Sequence, residues 1–150
     1  MLHWAKQGIP ARGTDFSQKA IELARQNAKA EGLPEDLFEL RNIYELDKQR
    51  DGADFVICCE VMERLECPEE GLSALQRIVG RYLIISVPRE PLWRCLNLVR
   101  CKYIRDFGNI PGYVQHWSKH GFLAFTSKFF QVEEVRTPVP WTMLLCRARH

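Results

Sequence analysis

What this 150-residue chain does without already narrows its function. No stretch nears the ~20 consecutive apolar residues that a membrane-spanning helix requires. The opening MLHWAKQGIPARG has no long apolar run and no small-residue cleavage pattern, so it carries no sign of a secretory leader. The six cysteines (Cys58, Cys59, Cys67, Cys95, Cys101 and Cys146) include no C-x-x-C pair, which argues against a zinc site or a disulfide framework. Cys58 and Cys59 lie within an apolar run and read as small buried hydrophobes of a reducing compartment, which points to a cytoplasmic protein. No internal repeat or low-complexity segment breaks the chain, and its length suits a single domain over 1–150.

What is present is an uneven charge pattern. The net charge is only +2, yet residues 31–70 carry a balance of −9 and residues 71–150 one of +8. That polarity bears on the steering of small charged ligands and is too weak to argue for nucleic acid.

Along the chain, strand and helix signals alternate. LHWAKQG is a short amphipathic piece, the end of a helix at most. ARGTDF (11–16) reads as a short strand ending in Asp15. Ser17 then stands as an N-cap before QKAIELARQNAKAE, whose Ala20, Ile21, Ala24 and Ala28 share one small-sided face. Gly32 is its stop. LFELRNI (37–43) is a second short strand, DKQRDG (47–52) a polar loop, and DFVICC (54–59) a strand whose unbroken apolar run predicts burial on both faces. Pro68, Glu69 and Glu70 open a helix with Leu72, Leu75, Ile78 and Val79 as its apolar face and Gly80 as its end. YLIISV (82–87) is another apolar strand. Residues 91–102 read as a basic amphipathic helix and 105–112 as a loop. Residues 114–128 read as mostly helix, interrupted at Gly121, and FFQVEEVR and WTMLLCR as two strands joined by Thr137-Pro138-Val139-Pro140. The order predicts an α/β protein with parallel βα units and a closing antiparallel hairpin.

The informative stretch is DFVICCEVMERL, 54–65. Ligands in open α/β sheets bind outside the carboxyl ends of the strands. Glu60 and Glu63 stand there, either as site residues or as plainly solvated carboxylates. Asp15 ends its strand in the same way, where it can accept from ribose hydroxyls or merely favour the start of the next helix.

The succession GTDFSQKAIELAR, an N-I pair, DFVICCEVMERLECPEEGL and YLIISVP resembles the class I S-adenosylmethionine-dependent methyltransferases, closest to the small-molecule, type-11 and ubiquinone-pathway branch, over about residues 11–148. The resemblance implies a Rossmann-like methyltransferase sheet with helices on both faces and a C-terminal antiparallel hairpin. It implies that Asp15 binds the ribose of S-adenosylmethionine and Phe16 lines the adenine. Asn42, with Ile43 beside it, stands where relatives carry an Asp that accepts from the adenine amino group, and Cys59 and Glu60 fall beside the methionine part. Glu60, Glu63 and His116 are the catalytic candidates.

Two departures from the family pattern stand out. The family's first strand and glycine-rich loop belong before Asp15, where only fourteen residues stand and no G-x-G occurs; Gly8 and Gly13 are separated by IPAR. The chain therefore reads as an N-terminally truncated domain. Its strands ending at Asp15 and Glu60 then pair directly, or take a second chain between them as in a homodimer, or leave a groove exposed. The motif's histidine is Arg64, which can neither hold a metal nor act as base, so no metal is expected. His116 and His120 are possible replacements, or else helix-surface or partly buried histidines. In relatives the segment around 89–112 covers the acceptor site. Here it carries Arg89, Arg94, Arg100, Lys102 and Arg105 against Glu90, which suits an anionic or lipid-like acceptor, a membrane surface, or no more than a solvated basic face. Two functions are open: methyl transfer to a small molecule, or a non-catalytic remnant serving as an oligomerising or interaction module.

Overall fold

The computed structural model describes residues 1–90 and 114–149, in two compact units, Met1–Leu46 and Asp47–His150. The predicted basic helix and loop over 91–112, with Cys95 and Cys101, lie outside the described residues.

The first unit is built on helix α2 (Gln18–Ala30), which follows the short helix α1 (Leu2–Lys6) and strand β1 (Gly13–Asp15). The Ser17 side chain accepts from the Ala20 N–H at 3.3 Å, satisfying one of the donors a helix leaves open at its start. Ile21 and Ala28 are its buried residues, and Gly32 lies just past its end at φ +69°, a conformation that glycine alone adopts without strain. β1 pairs in parallel with β2 (Phe38–Leu40), Asp15 opposite Leu40. The Arg25 guanidinium, on the sheet side of α2, donates to the Phe38 carbonyl at 2.9 and 3.1 Å and ties helix to strand.

The second unit opens with helix α3 (Lys48–Asp51), where the sequence suggested a polar loop. The Asp47 carboxylate accepts from the Gln49 and Arg50 N–H groups, both at 3.0 Å, and that cap suffices for one turn without any apolar face. A four-stranded mixed sheet follows in the order β3-β4-β6-β5, with β3 at Ala53–Cys59, β4 at Val79–Pro88, β5 at Gln131–Arg136 and β6 at Trp141–Arg147. β3 and β4 are parallel, joined through helix α4 (Pro68–Ile78), and β6 runs antiparallel between β4 and β5. The closing hairpin is present as expected, with helix α5 (Lys119–Thr126) before it.

Leu72, Leu75, Ile78 and Val79 are buried, so the predicted face of α4 packs inward. Leu83, Ile85 and Val87 of β4, Phe122 of α5, Phe130 and Leu144 are buried as well. Gly80 does not end the helix. It lies within β4, where an added Cβ would come within 2.8 Å of the Asp54 Oδ1 and 3.2 Å of the Asp54 Cα, so glycine admits the close approach of β4 to β3. Nor does Gly121 interrupt a helix over 114–128. It sits in the first turn of α5 and donates its N–H to the Ser118 cap at 3.1 Å, while residues 114–118 are extended.

The largest correction concerns β3. Its apolar run predicted burial on both faces, yet Phe55 is 48% and Ile57 41% exposed, and Cys59 is exposed as well. The reason is topological: β4 flanks one side of β3, and among the described residues no strand pairs with the other. β1 pairs with β2 in the two-stranded sheet of the first unit. Among the described residues no helix is long and apolar enough to cross a membrane.

Candidate functional site

The expected site residues fall in both units. In Met1–Leu46, Asp15 and Asn42 stand at the same, carboxyl-terminal end of the parallel pair, with the Arg41 N–H donating to the Asp15 carbonyl at 2.9 Å. The Asp15 carboxylate is exposed. Its Oδ1 accepts from the Ser17 N–H at 2.8 Å, and its Oδ2 points to no partner among the described residues. Phe16 is 73% exposed, a large cost for a ring with no structural task. Asn42 caps a single 3₁₀ turn (Ile43–Glu45), its side-chain oxygen accepting from the Tyr44 N–H at 3.2 Å. That oxygen keeps a second lone pair for a donor such as an adenine amino group. Ile43 is half-buried beside it. Behind Asp15, a shallow hollow of about 190 Å³ is lined by Gly13, Thr14, Ile21, Ala24 and Phe38.

In the second unit, β3 delivers Cys59 and Glu60 to its carboxyl end. Cys59 pairs with Ser86 of β4, and the Glu60 N–H donates to the Ser86 carbonyl at 3.1 Å. Glu60 has φ +59°, the left-handed region, which costs a side-chain-bearing residue roughly 1–2 kcal/mol. Strain of this kind persists where surrounding contacts over-determine it. Here the Trp141 indole N–H, from the first residue of β6, donates to the Glu60 carboxylate. Trp141 was not singled out by sequence. Its only signal was a tryptophan opening a strand, and nothing local shows that β6 returns beside β4 to meet the end of β3.

Glu63 is not a solvated carboxylate. It sits in the 3₁₀ turn Met62–Arg64, is 1% exposed, and neither carboxylate oxygen has a hydrogen-bond partner. Burial pushes its carboxyl up to about 7, opposed by its own backbone N–H; nearby Glu60 adds to the rise and Arg64 lowers it. Its backbone carbonyl accepts from the Val114 and Gln115 N–H groups at 2.8 and 2.9 Å. Arg64 is exposed. Burial also pushes the Cys58 thiol up to about 12, with Cys59 and Glu63 adding, which leaves it protonated and unsuited to act as a nucleophile.

His116 does not lie on a helix surface. It stands in the extended 114–118 segment with its Nδ1 3.7 Å from the Glu90 Oε1. His120 is exposed on α5. Among the described residues no group of three or more His, Cys, Asp or Glu side chains could hold a metal ion.

Comparison with known proteins bears on the fold and the family. The PH0226 protein from Pyrococcus horikoshii OT3 is similar over 97% of this chain and 76% of its own, at 16% identity and a TM-score of 0.73. A SAM-dependent methyltransferase from Methanosarcina mazei is similar over 97% and 85%, at 17% identity and a TM-score of 0.69. The magnesium protoporphyrin IX methyltransferase from Synechocystis PCC 6803, solved with bound SAH, is similar over 95% and 66%, at 18% identity and a TM-score of 0.67. At these identities the likeness establishes the fold, a Rossmann-like methyltransferase α/β architecture. No curated protein matches the chain. A family model described as a methyltransferase domain matches residues 4–96, well over half of the chain, and the chain belongs to that methyltransferase-domain family.

Proposed function

We propose that this chain binds S-adenosylmethionine and transfers its methyl group to a small-molecule acceptor, in the manner of the type-11 and ubiquinone-pathway enzymes its motifs resemble. The observation that carries the reading is the exposed Asp15 carboxylate, presented at the carboxyl end of β1 beside a Ser17-capped helix, with one oxygen held by the Ser17 N–H and the other open. A ribose diol needs such an acceptor at the end of a parallel strand. Phe16 supplies an apolar face for the adenine, and the Asn42 oxygen an acceptor for its amino group. Cys59 and Glu60 would flank the methionine part. These residues fit the cofactor's nucleoside half well; for its methionine half the chain offers no G-x-G turn before Asp15. The cofactor, when bound, supplies an already activated methyl group, so the protein's task is to align donor and acceptor and to exclude water.

Calorimetric titration with S-adenosylhomocysteine should give saturable binding, and Asp15→Ala should weaken it about tenfold or more, the effect of losing one or two charge-assisted hydrogen bonds. Absence of saturable binding would overturn the proposal.

A second reading rests on the edge of β3 that no strand pairs with among the described residues, and on the exposed Phe55 and Ile57. Unpaired strand edges template association, which favours a homodimer through this edge and a role as an interaction module. Sedimentation should then show a dimer that Ile57→Lys dissociates; a wild-type monomer at micromolar concentration would sink this reading.

A further inference from the structure

The extended segment 114–117 is pinned at both ends to residues that follow parallel strands. After β3, the Val114 and Gln115 N–H groups donate to the Glu63 carbonyl, and the Gln115 Nε2 reaches the Leu65 carbonyl at 3.4 Å. After β4, Arg89 and Trp117 form a parallel bridge, and the Glu90 N–H donates to the Trp117 carbonyl at 3.0 Å. The Trp117 ring packs on Phe125, centroids 4.7 Å apart, which fixes this strap to α5. The two anchors differ in kind. The one after β4 rests on backbone pairing and ring packing. The one after β3 rests on the single 3₁₀ turn Met62–Arg64, which has no side-chain cap and encloses a carboxyl group.

Glu63 is 1% exposed, and neither of its carboxyl oxygens has a hydrogen-bond partner. A neutral carboxyl tolerates that position. A carboxylate there is a buried charge without a partner, one of the costliest states a side chain can take. With the whole residue enclosed, rotation of the side chain alone does not reach water, so the backbone of the turn has to swing. Side chain and carbonyl leave the same residue, and turning the carboxylate outward draws the carbonyl away from the Val114 and Gln115 N–H groups.

We propose that Glu63 is a proton latch: its neutral carboxyl keeps the Met62–Arg64 turn closed on the strap, and its ionisation releases the strap at residues 114 and 115. The latch needs no cofactor and goes beyond the methyltransferase reading. Burial sets it near neutrality, pushing the carboxyl up to about 7 against the pull of its own backbone N–H; Glu60 opposes ionisation further and Arg64 favours it. From β3 the Cys58 thiol also acts on Glu63 and stays uncharged. On the other elements around the turn, Glu69 and Glu70 of α4 are exposed, and the carboxyl-terminal half of β4 carries no titratable side chain. On the strap, His116 has its Nδ1 3.7 Å from the Glu90 Oε1. The released end lies three residues beyond Glu60, where ligands of α/β sheets bind, so the latch couples pH to access at that edge.

Amide hydrogen exchange of the full chain, followed by NMR, tests the latch without any ligand. Protection factors, which remove the intrinsic pH dependence of exchange, should fall about 100-fold at Val114 and Gln115 between about pH 5 and 7.5, as one proton leaves, and then level off. The Glu90 amide, at the other anchor, should keep its protection. In Glu63→Gln, which cannot ionise, Val114 and Gln115 should stay protected at every pH. Wild-type protection that is flat across the range overturns the latch, as does the same fall in Glu63→Gln. An equal fall at the Leu83 and Ile85 amides of β4 also overturns it, because Glu63 would then act on global unfolding alone. That comparison within the wild type decides the matter even where the variant folds poorly.

Discussion

Phe122→Ala should cost about 3–5 kcal/mol of stability, the largest effect expected of a single truncation in this protein. The ring is fully buried on the inner face of α5 and lies 5.8 Å, centroid to centroid, from Trp117. Its removal loses both the transfer free energy of the side chain and the contacts around the void, because a close-packed interior relaxes only partly into the space left. Against a typical total of roughly 5–15 kcal/mol this is a large share, so the urea midpoint should fall steeply with little change in slope. Phe16→Ala is the internal control: that ring is 73% exposed, and its loss should leave the midpoint nearly unmoved while weakening cofactor binding. Equal losses for the two would mean that α5 does not pack as described. Because Trp117 anchors the strap bearing His116, Phe122→Ala should also disturb the His116 environment.

Stability should fall as pH rises from about 4.5 to about 7, to the extent that Glu63 governs it. The folded state pushes the Glu63 carboxyl from 4.5 up to about 7, chiefly through burial. Between those values the folded protein holds a proton that the unfolded chain has released, so raising the pH favours unfolding. Below 4.5 both states are protonated and the stabilisation is complete. Above about 7 both are ionised and the loss is complete, amounting to about 3 kcal/mol at 1.36 kcal/mol per pH unit. Glu63→Gln has nearly the same shape and no charge to bury, so it should match the wild type at acid pH and exceed it above neutrality. Carboxylates stabilised by partners contribute the opposite slope, so the discriminating quantity is the difference between wild type and Glu63→Gln in urea unfolding across the range. Parallel curves would show that Glu63 finds a partner or solvent.

The two predictions draw on different kinds of information. Phe122 sits in an apolar helix that hydrophobicity alone would bury. For Glu63 the sequence left two readings, site residue or solvated carboxylate, and the burial that the structure shows removes the second. The turn at Met62–Arg64 is too short for periodicity to say which side faces inward, and the side is set by α4 and the 114–115 strap closing over it.

Local chemistry alone sufficed for α2, with its Ser17 cap and Gly32 stop, for the start of α4 at Pro68, and for Trp141–Arg147, whose bounds agree with the sequence expectation. These features depend on residues within one or two turns of each other, and so does the position of Asp15 at a strand end. The motif DFVICCEVMERL likewise pointed to the methyltransferase family, because strand, terminal carboxylate and following turn are contiguous in the chain.

What contiguity cannot supply is neighbourhood. An apolar run states that a strand favours burial; whether both faces are covered depends on which strands flank it, and β3 has β4 on one side alone among the described residues. The strained backbone at Glu60 is tolerable because Trp141 arrives from a distant strand to hold its carboxylate. The meeting of His116 with Glu90 arises in the same way, from hydrogen bonds that lay one segment across two strand ends. Family and element order are thus written in short-range patterns, whereas the chemistry at the sheet edge depends on contacts between residues that only chain folding brings together.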